Sequence, residues 1–463
     1  MISRCQENDN AHYGRNKCFI LRLPIELQTQ IFTECASRPY GQIMDARAAP
    51  QVFLLVCKYW RDLAYATSSL WSSFELHFGT WPLNFEDPEG DAPILSRMKL
   101  WLRRSGNYPL TVKLHYKPSM SASRDETSRF PTEALTLLMQ HCTRWREIEL
   151  LMPNSCLTPL IRPATELDFP LLSSLILNPL PSIHSESLDF RNFSSSNCGR
   201  LTSLHTNFEA GRVLTLDECG IILAQHPNLI SCTLYAQCIF DGSSQAAGSA
   251  DKFILPALSE FHLMVHSNSG YAPETLLSPE AALTTFLGRL ELSVLNVLHI
   301  EWLLDGNRAL WTTSHPSFVS FLETLEPTLE ILSLGYLPLS DEQLIDCLRA
   351  VPYLTSVELL FSLGEEPEGP AITDKLLRAL TLNTKSVKSA RLLPMLRSLT
   401  LQCQGDGCSE QEIVRFLASR AEEELQALQV LKFHTQVPIL RNDTLQSRWS
   451  ESSIKLIEVC GKD

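Results

Sequence analysis

The sequence predicts an α/β protein in two parts: a small all-helical module near the N-terminus, then an irregular array of strand-and-helix units. The array is expected to stack into a curved solenoid, with a parallel sheet on the inside and helices outside. Three observations carry this expectation. A proline-started amphipathic stretch, "LPIELQTQIFTECA", begins at residue 23. The pattern L-x-x-L-x-L, with apolar replacements, recurs from residue 145 to about residue 435. Helix-start signals stand in the intervals between its copies.

Bulk composition agrees with a folded chain of more than one domain. The 463 residues are 44% hydrophobic and 20% charged, enough apolar material for a large core. A net charge of −13, with no run of Lys and Arg, argues against nucleic acid or an anionic membrane as partner. The N-terminal stretch has no apolar segment of a signal peptide, and no apolar run approaches the roughly 20 residues that span a bilayer. A cytoplasmic and/or nuclear location is expected. The 14 cysteines are scattered without a C-x-x-C pair, and Cys35, Cys57 and Cys347 occupy apolar helical slots. Buried thiols in a reducing compartment are expected, not a disulfide framework.

Residues 1–17 read as a disordered N-terminus, and residues 18–78 as the helical module. Pro24 suits the first helical turn, where its missing N–H costs nothing. Leu27, Ile31, Phe32 and Cys35 follow on one face, with Glu26, Gln28, Gln30 and Glu34 on the other. In "QVFLLVCKYWRDLAYATSSLW", Val52, Val56, Tyr59 and Leu63 make one stripe and Phe53, Cys57, Trp60 and Ala64 a second. A helix apolar over so much of its circumference needs cover from two sides, from its own module or from another protein.

The ordered blocks "LPIELQTQIF", "VCKYWRDLA" and "SSLWSSFEL" resemble an F-box, in the F-box-like form common in fungal proteins that carry leucine-rich repeats. The resemblance implies docking on the C-terminal helices of a Skp adaptor, which connects to the cullin and RING subunits of a ubiquitin ligase. Carried onto matching positions, it implies that Leu23, Pro24, Leu27, Ile31, Phe32, Val56, Cys57, Trp60, Leu63, Leu70 and Trp71 form the docking helices or their contact face. Some of these side chains touch the adaptor and others hold the helices together; the sequence does not sort them. The segment "SRPYGQIMDARAAP" is longer than the family's compact linker.

Residues 79–144 read as a linker followed by a helix-and-strand cap of the array. Leu95, Met98 and Leu102 lie at helical spacing, Gly106 marks a turn, and Leu110, Val112, Leu114 and Tyr116 alternate as in a strand. "WLRRSGNYPLTVKL" resembles the segment that follows the F-box in the same fungal proteins. Arg103 and Arg104 read as a solvated basic face.

The array, residues 145–435, is expected to be an irregular leucine-rich-repeat solenoid. The fourth positions of successive copies are 148, 175, 204, 232, 261, 298, 332, 357, 399 and 431. Ser340 with Gln343, Ser409 with Glu412, and Thr215 with Glu218 have capping-box spacing. If the first, fourth and sixth positions point into the core, the third, fifth and seventh line the concave face. That face is expected to include Glu147, Glu149, Ser203, His205, Thr233, Tyr235, Glu260, His262, Met264, His299, Glu301, Ser333, Glu358, Thr400, Lys432 and His434, with His205, Tyr235, Glu260, His262, His299, Glu301, Glu358 and His434 as substrate-contact candidates. His262 and His299 occupy equivalent positions one strand spacing apart, about 4.8 Å, with no further ligand at convincing spacing for a metal. Ser-, Gly- and Pro-rich insertions read as surface loops. In the tail, 436–463, the run Ile454 to Val459 reads as a strand that caps the array.

No nucleophile elbow, phosphate-binding glycine loop, H-E-x-x-H or paired-cysteine site is present. No enzyme activity, cofactor or metal is expected. The sequence therefore points to an F-box substrate receptor, with an unidentified protein as substrate; the rival is a leucine-rich-repeat scaffold with a degenerate F-box.

Overall fold

The computed structural model describes residues 19–36, 41–42, 47–79, 92–117, 129–161, 167–180, 197–206, 214–238, 252–267, 278–304, 310–361, 372–382, 392–404, 407–421, 428–435 and 454–460. The expected disordered segment 1–17 and nearly all of the insertions lie outside the described residues. The chain divides into two compact units, Met1–Ile148 and Glu149–Asp463, so residue 78 falls inside the first. Parallel β-strands and α-helices make up both, an α/β architecture. Among the described residues, no helix is long and apolar enough to cross a membrane.

The first unit opens with helix Ile25–Ala36, short helix Phe53–Val56, helix Lys58–Ala66 and a 3-10 turn Ser68–Trp71. The sequence reading of one helix through residue 57 needs correction: Cys57 is extended (φ −158°), and its Sγ accepts from the Trp60 N–H at 3.4 Å as an N-cap. The helical module is also not wholly helical. Gly41–Gln42 and Ser73–Gly79 are parallel strands, paired Gly41 to Phe74 and Gln42 to Glu75. Ser73–Gly79 then pairs with the expected strand Leu110–Lys117, so that Phe74 opposes Val112 and His77 opposes His115. Helix Ala92–Arg104 lies between these strands in sequence, and Gly106 turns the chain with φ 53°, a left-handed value that favours glycine.

Three tryptophans hold this unit together. Trp71, Trp101 and Trp145 are fully buried. The Trp71 and Trp101 rings meet edge to face at 5.2 Å. Indole N–H groups of Trp71 and Trp145 donate to Ala64 O (2.8 Å) and Leu138 O (3.0 Å), each carbonyl seven residues upstream, in helices Lys58–Ala66 and Arg129–Met139. The expectation that Arg103 and Arg104 form a solvated pair is corrected for Arg104, whose guanidinium lies over the Tyr65 and Trp71 rings at 4.4 and 4.5 Å.

In the second unit, strands Ser174–Leu180, Ser203–Thr206, Ser231–Gln237, Glu260–Ser267, Val297–Leu304, Ile331–Gly335, Ser356–Leu360, Ser398–Cys403, Val430–Thr435 and Lys455–Cys460 follow one another in space as in sequence. All are parallel. The fourth positions stand directly opposite one another: Leu175 to Leu204, Leu204 to Cys232, Cys232 to Phe261, Phe261 to Leu298, Leu298 to Leu332, Leu332 to Val357, Val357 to Leu399 and Leu399 to Leu431. The ladder runs on to Leu456, within the apolar run of the tail. Regular pairing is thus kept across the longest step, 357 to 399.

Every first, fourth and sixth position from Leu172 to Phe433 is at most 1% exposed. Helices Leu216–Gln225, Pro279–Leu287, His315–Glu323, Asp341–Ala350, Asp374–Leu380 and Glu410–Arg420 occupy the connections. Each strand-and-helix unit leaves its apolar row to be covered by its neighbours, which is why the rows run unbroken through the sheet.

Candidate functional site

The first helix turns its apolar stripe outward. Its buried residues are Gln28 and Phe32, whereas Leu27, Ile31 and Cys35 are exposed, the reverse of the expected division for Gln28, Leu27 and Ile31. Gln28 is held inward because its side-chain N–H donates to Leu23 O at 2.8 Å. Phe32 is the anchor, stacked on Phe53 at 4.3 Å and tilted against Trp60 at 4.9 Å. With that triad closed, Leu23, Leu27 and Ile31, spaced four apart, remain at the surface.

The following segment is sorted in the same way. Phe53, Leu63 and Ala64 are buried and Trp60 is half-buried. Leu55 (70% exposed), Val56 (54%) and Tyr59 (42%) face solvent. Half of the exposed large apolar side chains among the described residues fall between Leu23 and Tyr65. The candidate docking residues therefore separate: Leu23, Pro24, Leu27, Ile31, Val56 and Cys57 are exposed, whereas Phe32, Leu63, Leu70 and Trp71 build the core. Ile25, Leu55 and Tyr65 were not among the candidates. Neither Ile25 nor Leu55 belongs to the stripes that periodicity singled out, and only burial identifies them as surface residues.

The exposed positions of Cys35 and Cys57 correct the expectation of buried thiols at these sites. Cys347 is buried as expected, and burial pushes its thiol up to about 12. Cys198 is likewise pushed up to about 12.

In the second unit, the residues between the leucines form a continuous polar row. His205 opposes Thr233, Thr233 opposes His262, His262 opposes His299, His299 opposes Ser333, Ser333 opposes Glu358, Glu358 opposes Thr400, and Thr400 opposes Lys432. One ring nitrogen of His205 lies 2.7 Å from Thr233 Oγ1, and the other lies 2.9 Å from Ser203 Oγ. The His262 and His299 rings stack at 5.3 Å and 18°. His299 Nε2 lies 2.9 Å from Glu301 Oε1. Ser231 and Ser333 hydroxyls donate to Glu260 and Glu358 at 3.1 and 3.0 Å.

Burial holds His262 below its ordinary value; the neighbouring His299 and His205 add to this, while Glu260 and Glu301 oppose it. Burial also lowers His205. Glu260 is exposed, and His205, His262, His299, Glu301, Glu358 and His434 are half-buried. Tyr235 is only 8% exposed and stacks on His266 at 5.8 Å, which removes most of its surface from contact. Among the described residues, no third ligand joins His262 and His299 in a group that could hold a metal ion. Such a row can accept and donate hydrogen bonds to an extended protein surface.

Comparison with protein-family models and with the curated proteins gives no match for this chain.

Proposed function

We propose that this chain is the substrate-receptor subunit of a cullin–RING ubiquitin ligase. Its F-box-like helices dock on a Skp adaptor, and an irregular leucine-rich-repeat solenoid holds a protein substrate on its polar row. The subunit is not itself catalytic; it brings substrate lysines close to the ubiquitin-transfer machinery. A cytoplasmic or nuclear location belongs to the same reading.

The observation that carries it is the outward apolar stripe of Leu23, Leu27 and Ile31, together with the exposed Leu55, Val56 and Tyr59. Apolar side chains spaced for helix packing, left uncovered beside a closed aromatic core, suit a helical partner. The ordered sequence blocks resemble an F-box, and that resemblance implies a Skp adaptor as the partner. The in-register leucine rows support the repeat assignment, and the mixed histidine, hydroxyl and carboxylate row suits a polypeptide.

The test is calorimetric titration of full-length protein with purified Skp adaptor. Replacing Leu27, Ile31 and Val56 together by Ala removes exposed contacts and leaves Phe32, Phe53 and Trp60 in place. Interface hot spots cost at least about 2 kcal/mol each, so the triple variant is expected to lose measurable binding while keeping its thermal midpoint. Absence of binding by the wild-type chain would overturn adaptor docking. The rival scaffold reading then gains, and it has its own support: Ser73–Gly79 and Gly41–Gln42 give the module a structural role without an adaptor.

A further inference from the structure

We infer that Glu75, His77 and His115 form a binding site for a divalent transition-metal ion of the zinc class, on the first unit's parallel sheet. Glu75 and His77 lie two apart on strand Ser73–Gly79 and so share a face, and His115 stands directly opposite His77 on strand Leu110–Lys117. The other face carries the buried Phe74, Leu76, Val112 and Leu114. The three ligands are therefore fixed by the core packing of their alternate neighbours.

The geometry is convergent. Glu75 Oε1 lies 2.9 Å from His77 Nε2 and 3.6 Å from His115 Nδ1. One ligand atom from each of the three residues lies within 4.8 Å of the others. Tetrahedral bonds of 2.0–2.1 Å place ligand atoms about 3.3 Å apart, between the two observed separations. The His77 and His115 rings are 5.1 Å apart and nearly perpendicular, at 79°, unlike the parallel His262 and His299 pair. Two imidazoles and a carboxylate are borderline ligands that suit Zn²⁺ over Ca²⁺ or Mg²⁺. The His77 side chain is 52% exposed, so an ion can enter from solvent. Lys113 opposes Glu75 in register, on the same face as His115.

Among the described residues Cys35 and Cys57 are the exposed thiols, so the test starts from Cys35→Ser/Cys57→Ser full-length protein, stripped with chelator. Zn²⁺ is titrated against a chromophoric competitor, and Co²⁺ is used as a spectroscopic probe. The expected result is one equivalent bound, with no thiolate-to-cobalt charge-transfer band. Loss of one ligand in His77→Ala or Glu75→Gln is expected to weaken binding by at least about tenfold. Both variants keep the wild-type thermal midpoint in chelator, because neither side chain belongs to the core. Undiminished binding in both variants, a thiolate band, or no saturable binding by the Cys35→Ser/Cys57→Ser protein would each overturn the site.

Discussion

His262 stands on the polar row with His205, His299, Glu260 and Glu301 around it, and burial is the largest influence on its protonation. Its folded pKa lies below the ordinary 6.5. The unfolded chain therefore binds more protons as pH falls through 6.5, and folded stability drops on acidification and recovers above that value. In His262→Gln, the denaturation midpoint should fall less between pH 7.5 and 5.5 than in wild type; equal slopes would assign the pH dependence elsewhere. Gly335 offers a second test. A Cβ there would stand 2.8 Å from Glu301 Cγ, so Gly335→Ala forces Glu301 off its contact with His299. Overpacking of this kind costs about 1–3 kcal/mol. The cost should shrink in a Glu301→Ala background, where the clashing atom is gone, as a double-mutant denaturation cycle would read. At this scale the buried rows were legible, because a leucine period of two along a strand has one physical outcome. Which of Leu27 and Phe32 faces the core was not, since both fit an apolar helix face. The choice is made by the Phe32, Phe53 and Trp60 triad.

The helices of the second unit are linked through their caps. Thr215 with Glu218 and Ser340 with Gln343 form complete capping boxes. At Ser409 the hydroxyl accepts from the Glu412 N–H, but the Ser409 N–H donates to Asp374 Oδ1 of the preceding helix at 2.6 Å, and Glu412 pairs with Arg415. The Thr373 hydroxyl similarly donates to Asp341 at 2.7 Å. Ser340→Ala should cost about 1 kcal/mol in chemical denaturation. Arg420 is the larger case. Its guanidinium, 3% exposed as a residue, donates to Leu380 O, Leu392 O and Leu393 O, and burial lowers its pKa to about 10. Leu380 ends helix Asp374–Leu380, so Arg420 caps that helix from the next one. Arg420→Met should cost about 3 kcal/mol or more, because it strands buried carbonyls at about 1–3 kcal/mol each. Such cross-unit bonds are invisible in a sequence, where Arg420 reads as an ordinary basic residue near a helix end. Strand Ser73–Gly79 was legible in principle, since Phe74 and Leu76 alternate with Glu75 and His77. The adjoining Leu70 and Trp71 draw the segment into the helical reading.

At the scale of the whole molecule, the uncovered stripe on the first unit should make the isolated chain associate with itself. Light scattering on a sizing column should detect concentration-dependent oligomers that Leu27→Glu/Val56→Glu abolishes; a monomeric wild type would mean the patch is too small to drive association. The second unit poses a different demand. Partners in its parallel ladder are separated by 25 residues, Leu332 to Val357, up to 42, Val357 to Leu399. At synthesis rates of about 5–20 residues per second, each new strand reaches its neighbour roughly 1–8 s after the last. During synthesis the row of the newest strand has one bare edge throughout each such interval, and that edge stays bare longest between Val357 and Leu399.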